Sequence, residues 1–105
     1  MLGTAEATLK AVEQAYELHL NQIILPAAVG GSVIVRPCPA CRPVTLATSA
    51  ASRFLVGAKN TPLPLGEFAK AVEGARRRAK PMIYVYYAPD TRRVTRIVLS
   101  LGPGA

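Results

Sequence analysis

The first quarter of the chain carries apolar residues at a helical period. They recur at steps of three or four, with charged residues between them, at Leu9, Val12, Tyr16, Leu20 and Ile23. Thr4 is a suitable N-cap for such a helix. Because Pro26 disfavours helical geometry in the residue before it, the pattern predicts a helix that ends between residues 19 and 25.

The middle of the chain has the composition of short strands. Residues 33–35 are β-branched and residues 44–48 are rich in strand formers, with the sequence Cys-Pro-Ala-Cys of residues 38–41 between them. We therefore predict two strands joined by a tight turn. Residues 53–56 predict a third strand, which ends at Gly57.

A second helical pattern follows the proline-containing loop of residues 58–64. Its charged face carries Glu67, Lys70, Glu73 and Arg77, and its apolar face carries Leu65, Phe68, Ala69 and Val72. Four basic residues near its end, in residues 76–80, suit the negative pole of a helix dipole. Pro81 then closes the helix.

The C-terminal quarter gives the clearest signal. Residues 82–88 and 93–101 are rich in Ile, Val, Tyr and Thr, and Pro89-Asp90-Thr91 separates them, which predicts a β-hairpin. The element order α-β-β-β-α-β-β predicts a small α+β fold, a mainly antiparallel sheet of about five strands with two helices. We expect one domain over residues 1–105, frayed at residues 1–3 and 102–105.

The positive charge of the chain lies almost entirely after residue 35. Of the formal charge of +7, residues 36–105 carry +9 and residues 1–35 carry −2. Such a surface attracts polyanions. Arginine beside strand tyrosines can also bind unpaired nucleic-acid strands, although the same residues fit a solvated basic face. The candidate polyanion-binding residues are Arg76, Arg77, Arg78, Arg92, Arg93, Arg96, Tyr84 and Tyr86.

The only two cysteines, Cys38 and Cys41, fit three roles. A redox dithiol places its first cysteine at a helix start, and Arg-Pro-Val-Thr after Cys41 is poor helix material. A zinc site needs four ligands, and His19 is the only histidine. We favour two sulfurs facing each other across a β-turn, as a disulfide in an oxidising compartment or as two thiols in a reducing one.

The sequence predicts neither catalysis nor a membrane span. His19 and Asp90 are the only residues of their types, and no nucleophile elbow, phosphate loop or metalloprotease motif is present. We therefore predict no enzymatic activity, no cofactor and no metal. The longest nearly uncharged stretch is interrupted by Pro26 and by Gly30-Gly31, and no export signal precedes it. The sequence leaves the compartment open: we expect the periplasm or exterior if the chain is a processed form, and the cytoplasm otherwise.

These patterns favour a non-enzymatic binding or structural module that acts through protein–protein contacts. Its apolar content is high for its size, and an unidentified protein or a second copy would cover part of that surface. Two alternatives stay open. One is nucleic-acid or polyanion binding through the arginine clusters, and the other is thiol redox chemistry at Cys38 and Cys41.

Overall fold

The computed structural model describes residues 13–78 and 80–101, which form seven strands and one α-helix. A 3-10 turn at Leu20–Gln22 separates the first two strands. The elements are β1 (Gln14–His19), β2 (Ile23–Ile24), β3 (Ser32–Val35), β4 (Val44–Ala47), β5 (Arg53–Val56), α1 (Leu65–Ala75), β6 (Met82–Ala88) and β7 (Arg93–Ser100).

The strands form one mixed sheet with β7 at its centre. The order is β1-β6-β7-β4-β3-β2, and β5 also pairs with β7. β6 runs antiparallel to β7 on one side, whereas β4 and β5 run parallel to it on the other. The expected mainly antiparallel sheet of about five strands and two helices therefore differs in detail from the seven strands and one helix of the described residues. Parallel pairing joins strands that are far apart in sequence, so no hairpin turn between them predicts the pairing.

Several local predictions are confirmed. β3 and β4 pair antiparallel around the Cys-Pro-Ala-Cys turn, and β6 and β7 form the C-terminal hairpin. β5 ends just before Gly57, where φ is 63° and the N–H donates to Leu99 O at 2.7 Å. This positive φ explains why a glycine stands there. The helix of Leu65–Ala75 also begins after the predicted proline-containing loop, but it ends at Ala75, several residues before the expected end at Pro81.

The predicted first helix is wrong where it can be compared with the structure. Gln14–His19 is a strand that pairs with β6, with Tyr16 opposite Val85 and Leu18 opposite Ile83. The apolar residues Tyr16, Leu18 and Leu20 also fit the period of two that is typical of a strand. Pairing with β6 favours the strand, because it leaves Leu18 only 1% exposed. Three residues of the predicted helix lie in other elements: Tyr16 in this strand, Leu20 in the 3-10 turn and Ile23 in β2. Thr4, Leu9 and Val12 lie outside the described residues. Residues 1–3 and 102–105, expected to be frayed, lie outside them too.

One apolar core joins α1 to the sheet. Phe68 on α1 is fully buried and lies against Phe54 of β5, with ring centroids 5.4 Å apart. Burial of side chains of this size contributes about 1.5–3 kcal/mol each. The fully buried positions are Leu18, Val33, Val35, Leu46, Phe68, Ile83, Val85, Ile97 and Leu99.

The junction between β4 and β5 is held by the buried hydroxyl of Ser52. β4 reaches β7 at Arg93, and β5 begins its pairing at Arg96, so a gap separates the two along β7. Ser52 is 9% exposed, and its Oγ donates to Val94 O at 2.6 Å within this gap. The same oxygen accepts from Ser49 N–H at 3.0 Å. The connector is thus tied to β7 where β4 leaves it and before β5 begins.

We expect Tyr87 to titrate above the ordinary tyrosine pKa of about 10. Burial raises the pKa of Tyr87, the neighbouring Tyr16 raises it further, and Arg92 partly opposes them. The ring of Tyr87 stacks on Tyr16 of β1 with centroids 5.2 Å apart. Because the folded state holds this proton more tightly than the unfolded chain, its contribution to stability is complete below the unfolded pKa and is lost as pH rises through the folded pKa. The absorbance titration of the wild type minus that of Tyr87→Phe should show a midpoint above 10, and a midpoint below it would contradict the packing of β1 over this ring.

We expect Ser52→Ala to lower the free energy of unfolding by about 1–3 kcal/mol, because it removes two hydrogen bonds at a buried junction. Ser49→Ala is the matched control. The Ser49 hydroxyl accepts one exposed hydrogen bond from Ala51 N–H, so its loss should cost less than about 1 kcal/mol. Urea unfolding of both variants measures the difference. Equal losses would show that the junction does not depend on Ser52.

Candidate functional site

Arginines lie on the face of the sheet that is turned away from α1. Phe54 and Ile97 belong to the core with α1, and side chains alternate along a strand, so Arg53 and Arg96 lie on the opposite face. We call this the outer face. The parallel register pairs Arg53 directly with Arg96. Two guanidinium-bearing side chains from distant parts of the sequence are therefore neighbours.

A groove of about 640 Å³ opens where β4 gives way to β5. Its charged lining consists of Arg53, Arg93, Arg96 and one carboxylate, Glu13. Leu55 and Val94, both buried, form an apolar part of its wall. We call this site the arginine groove. Counted over residues 13–78 and 80–101, its lining carries a formal charge of +2, because arginine stays protonated at any physiological pH.

Glu13 neutralises only part of this charge. Its carboxylate accepts a hydrogen bond from the Thr95 hydroxyl and lies 3.3 Å from Nη2 of Arg96. Arg53 donates from Nη2 to the backbone oxygen of Asn60 at 3.2 Å, which fixes its direction without cancelling its charge. Among the residues that the structure describes, neither Arg53 nor Arg93 forms an ion pair.

A bulge in the hairpin sets the direction of Arg96. The pairing passes from Tyr86 opposite Arg96 to Tyr87 opposite Val94, so Thr95 has no partner of its own. Val94 and Ile97 are consequently both buried although two residues separate them, and Arg96 lies on the outer face between them. Its Cζ lies 3.9 Å from the centre of the Tyr86 ring, within cation–π distance.

The structure brings together some of the candidate residues named from the sequence. Arg93 and Arg96 line the groove, Tyr86 lies under Arg96, and Tyr84 is the next outer-face residue along β6. Arg92 occupies the hairpin turn with φ of 59°. The sequence-based set omitted Arg53, because a single arginine before Phe-Leu-Val gives no local sign that its strand will pair with Arg96.

The cluster Arg76–Arg78 is not part of this site. These residues follow the last turn of α1, which packs on the core face of the sheet, and none of them lines the arginine groove. Arg76 forms an exposed ion pair with Glu73 at 2.9 Å. Arg76–Arg78 therefore belong to a different surface from Arg93 and Arg96.

Cys38 and Cys41 form a disulfide in the turn between β3 and β4. Their Cα atoms are 5.0 Å apart, and Cys41 N–H donates to Cys38 O at 3.0 Å. This pairing is compatible with an oxidising compartment. The turn joins two strands, so neither cysteine stands at the helix start that activates a redox thiol.

Gln22, at the end of the 3-10 turn between β1 and β2, is hydrogen-bonded to the start of the disulfide turn. Its Nε2 donates to Arg36 O at 3.1 Å and to Pro37 O at 3.3 Å. Its Oε1 accepts from His19 N–H at 2.7 Å. The end of β1 and the start of the turn are thereby held together, and His19 is positioned by its backbone.

Comparison of the chain with protein-family models, curated proteins and solved structures finds no match. In residues 13–78 and 80–101, no three His, Cys, Asp or Glu side chains are grouped closely enough to hold a metal ion. No helix of this part of the chain has the length and apolar composition to span a membrane. We therefore infer function from the geometry of the arginine groove.

Proposed function

We propose that the protein binds an anionic polymer at the arginine groove. The observation that supports this is the convergence of three arginines from β5 and β7 on one open groove, where the described part of the chain supplies a single carboxylate. Guanidinium groups bind phosphate or sulfate oxygens through paired N–H donors. A polymer fits better than a small anion because the groove is open and Arg92, exposed in the adjoining hairpin turn, carries the positive charge beyond it.

The chemistry of the groove favours binding over catalysis. Arginine cannot act as a general base because it does not lose its proton in proteins. The carboxylate of Glu13 is already occupied by Thr95 and Arg96. The remaining lining groups are apolar, amide or hydroxyl side chains, with no histidine or cysteine among them. Such a lining can neutralise charge and position a chain.

The test compares two double variants with equal net charge. Arg53→Gln with Arg93→Gln removes two groove arginines, and Arg77→Gln with Arg78→Gln removes two arginines after α1. We expect the groove variant to bind a labelled oligonucleotide or heparin fragment roughly tenfold more weakly at low salt. The slope of log affinity against log salt should fall by about two in magnitude for the groove variant, because each lost contact reduces it by about one.

The control variant should change affinity by less than about twofold, apart from the general effect of net charge. Fluorescence anisotropy over a salt series gives both quantities. Equal weakening in the two variants would show that the ligand sees only net charge, and the groove proposal would be wrong. The same conclusion follows if neither ligand binds the wild type at low salt.

A second candidate function, contact between two copies of the chain, has one specific observation in its favour. Ile24 at the end of the described sheet is 64% exposed, and it lies opposite the half-buried Ile34 in the β2–β3 pairing. An exposed apolar residue on a terminal strand, beside a half-buried one on the next strand, is a surface that a second copy can cover by pairing β2 with its own counterpart.

We expect Ile24→Lys to shift the protein from dimer to monomer, because a charge on the terminal strand opposes pairing between edges. Sedimentation equilibrium over a concentration series measures this. Lys59→Ala, which alters an exposed loop residue, is the control. A wild-type chain that is monomeric at all concentrations would exclude this candidate and leave the arginine groove unaffected.

A further inference from the structure

We propose that the anionic polymer is a single-stranded nucleic acid, whose phosphates lie in the arginine groove and whose bases stack on Tyr84 and on the Tyr86–Arg96 pair. This inference rests on the proposed function, because it names the ligand of the same site. It adds a second requirement. Besides charge, the ligand must present flat, unpaired bases.

The groove and the aromatic residues form one continuous surface. Arg96 lines the groove and also lies over the ring of Tyr86, with its Cζ 3.9 Å from the ring centre. The guanidinium of arginine is planar, and bases stack on it as they do on aromatic rings. Tyr84 lies on the same outer face, opposite Val98 of β7. A nucleic-acid strand that leaves the groove therefore meets two stacking positions in succession.

The spacing of these positions distinguishes unpaired from paired nucleic acid. Tyr84 and Tyr86 are two residues apart on β6, so their Cα atoms are separated by about 6.6–6.8 Å along the strand. Stacked bases in a duplex follow one another at about 3.4 Å. Consecutive bases can rest on both positions only when the chain is unstacked and extended. In a duplex the faces of the bases are also covered by their neighbours.

The charges on the two sides of the tyrosines favour one path for the bound nucleic acid. On one side β1 presents Glu17 opposite Tyr84. On the other side β5 and β7 present Arg53 and Arg96. Phosphates are repelled by the first edge and attracted by the second. The backbone of the ligand should therefore follow the β5 and β7 side while its bases turn toward β6.

The outer face offers little to read the edges of the bases. Of the side chains beside the stacking positions, Met82 and Val98 are apolar and half-buried, and Glu17 of β1, opposite Tyr84, is the polar one. Stacking and backbone charge are tolerant of sequence, because every base has a flat face. We therefore expect binding with weak sequence preference and strong salt dependence.

The experiment uses three probes on the full chain: a labelled oligothymidylate, a mixed-sequence duplex of the same length, and a heparin fragment. Tyr84→Leu removes the ring and keeps an apolar side chain. Stacking on one aromatic residue is worth about tenfold in affinity, so this variant should bind the oligothymidylate about tenfold more weakly. Its affinity for the duplex and for heparin should not change.

Two further variants control for structure. Met82→Leu changes an apolar residue on the same face of β6 and should leave all three affinities unchanged, and Tyr84→Phe retains the ring and should bind like the wild type.

Arg96→Lys keeps the charge but removes the planar group over Tyr86. It should weaken binding of the oligothymidylate more than binding of heparin, whether or not Tyr84→Leu folds.

The outcomes separate this inference from the proposed function. If the duplex or heparin binds as tightly as the oligothymidylate, and only the Arg53→Gln and Arg93→Gln variant loses affinity, the groove binds polyanions and the single-strand assignment is overturned. If the arginine variant also has no effect on any probe, both proposals are overturned. Selective loss of oligothymidylate binding in Tyr84→Leu and Arg96→Lys, with recovery in Tyr84→Phe, supports the inference.

Discussion

The hydrogen bond from the Ser52 hydroxyl to Val94 O is the interaction on which the arrangement of this sheet depends. β4 and β5 share one side of β7, and at the gap between them neither strand pairs with Val94. A buried hydroxyl with two hydrogen bonds fills that gap with satisfied polar groups. The junction fixes where β5 starts, and the start of β5 fixes the register that places Arg53 beside Arg96.

The alternation of side chains along each strand determines which residues lie on each face of the sheet. The period of two that buries Phe54 and Ile97 against α1 necessarily places Arg53 and Arg96 on the outer face. The bulge at Thr95 then allows Val94 to join the core without moving Arg96 to the inner side. Core formation and the charged groove are therefore products of one register. A slip of one residue would bury the arginines and expose the core.

Local elements could be predicted from this sequence, and long-range pairing could not. The hairpin of β6 and β7, the Cys38–Cys41 turn and α1 have signals within a few residues, so their positions were predictable. The predicted helix in the first segment is wrong because Tyr16 and Leu20 satisfy both a helical and a strand period. Only the free side of β6 decides between them. Arg53 was missed for a related reason, since its significance arises from pairing with a strand some forty residues later.

A site assembled from separate segments links ligand binding to folding. Arg53, Arg93 and Glu13 are far apart in the sequence, so the unfolded chain keeps their charges but loses their convergence. A ligand that recognises the groove stabilises the folded state in proportion to the logarithm of its concentration over its Kd. Attraction of the same ligand to the unfolded chain, which also carries an excess of arginine, reduces that gain. The stabilisation that a ligand produces therefore measures the part of its affinity that comes from the arrangement of the arginines and tyrosines, beyond what charge alone provides.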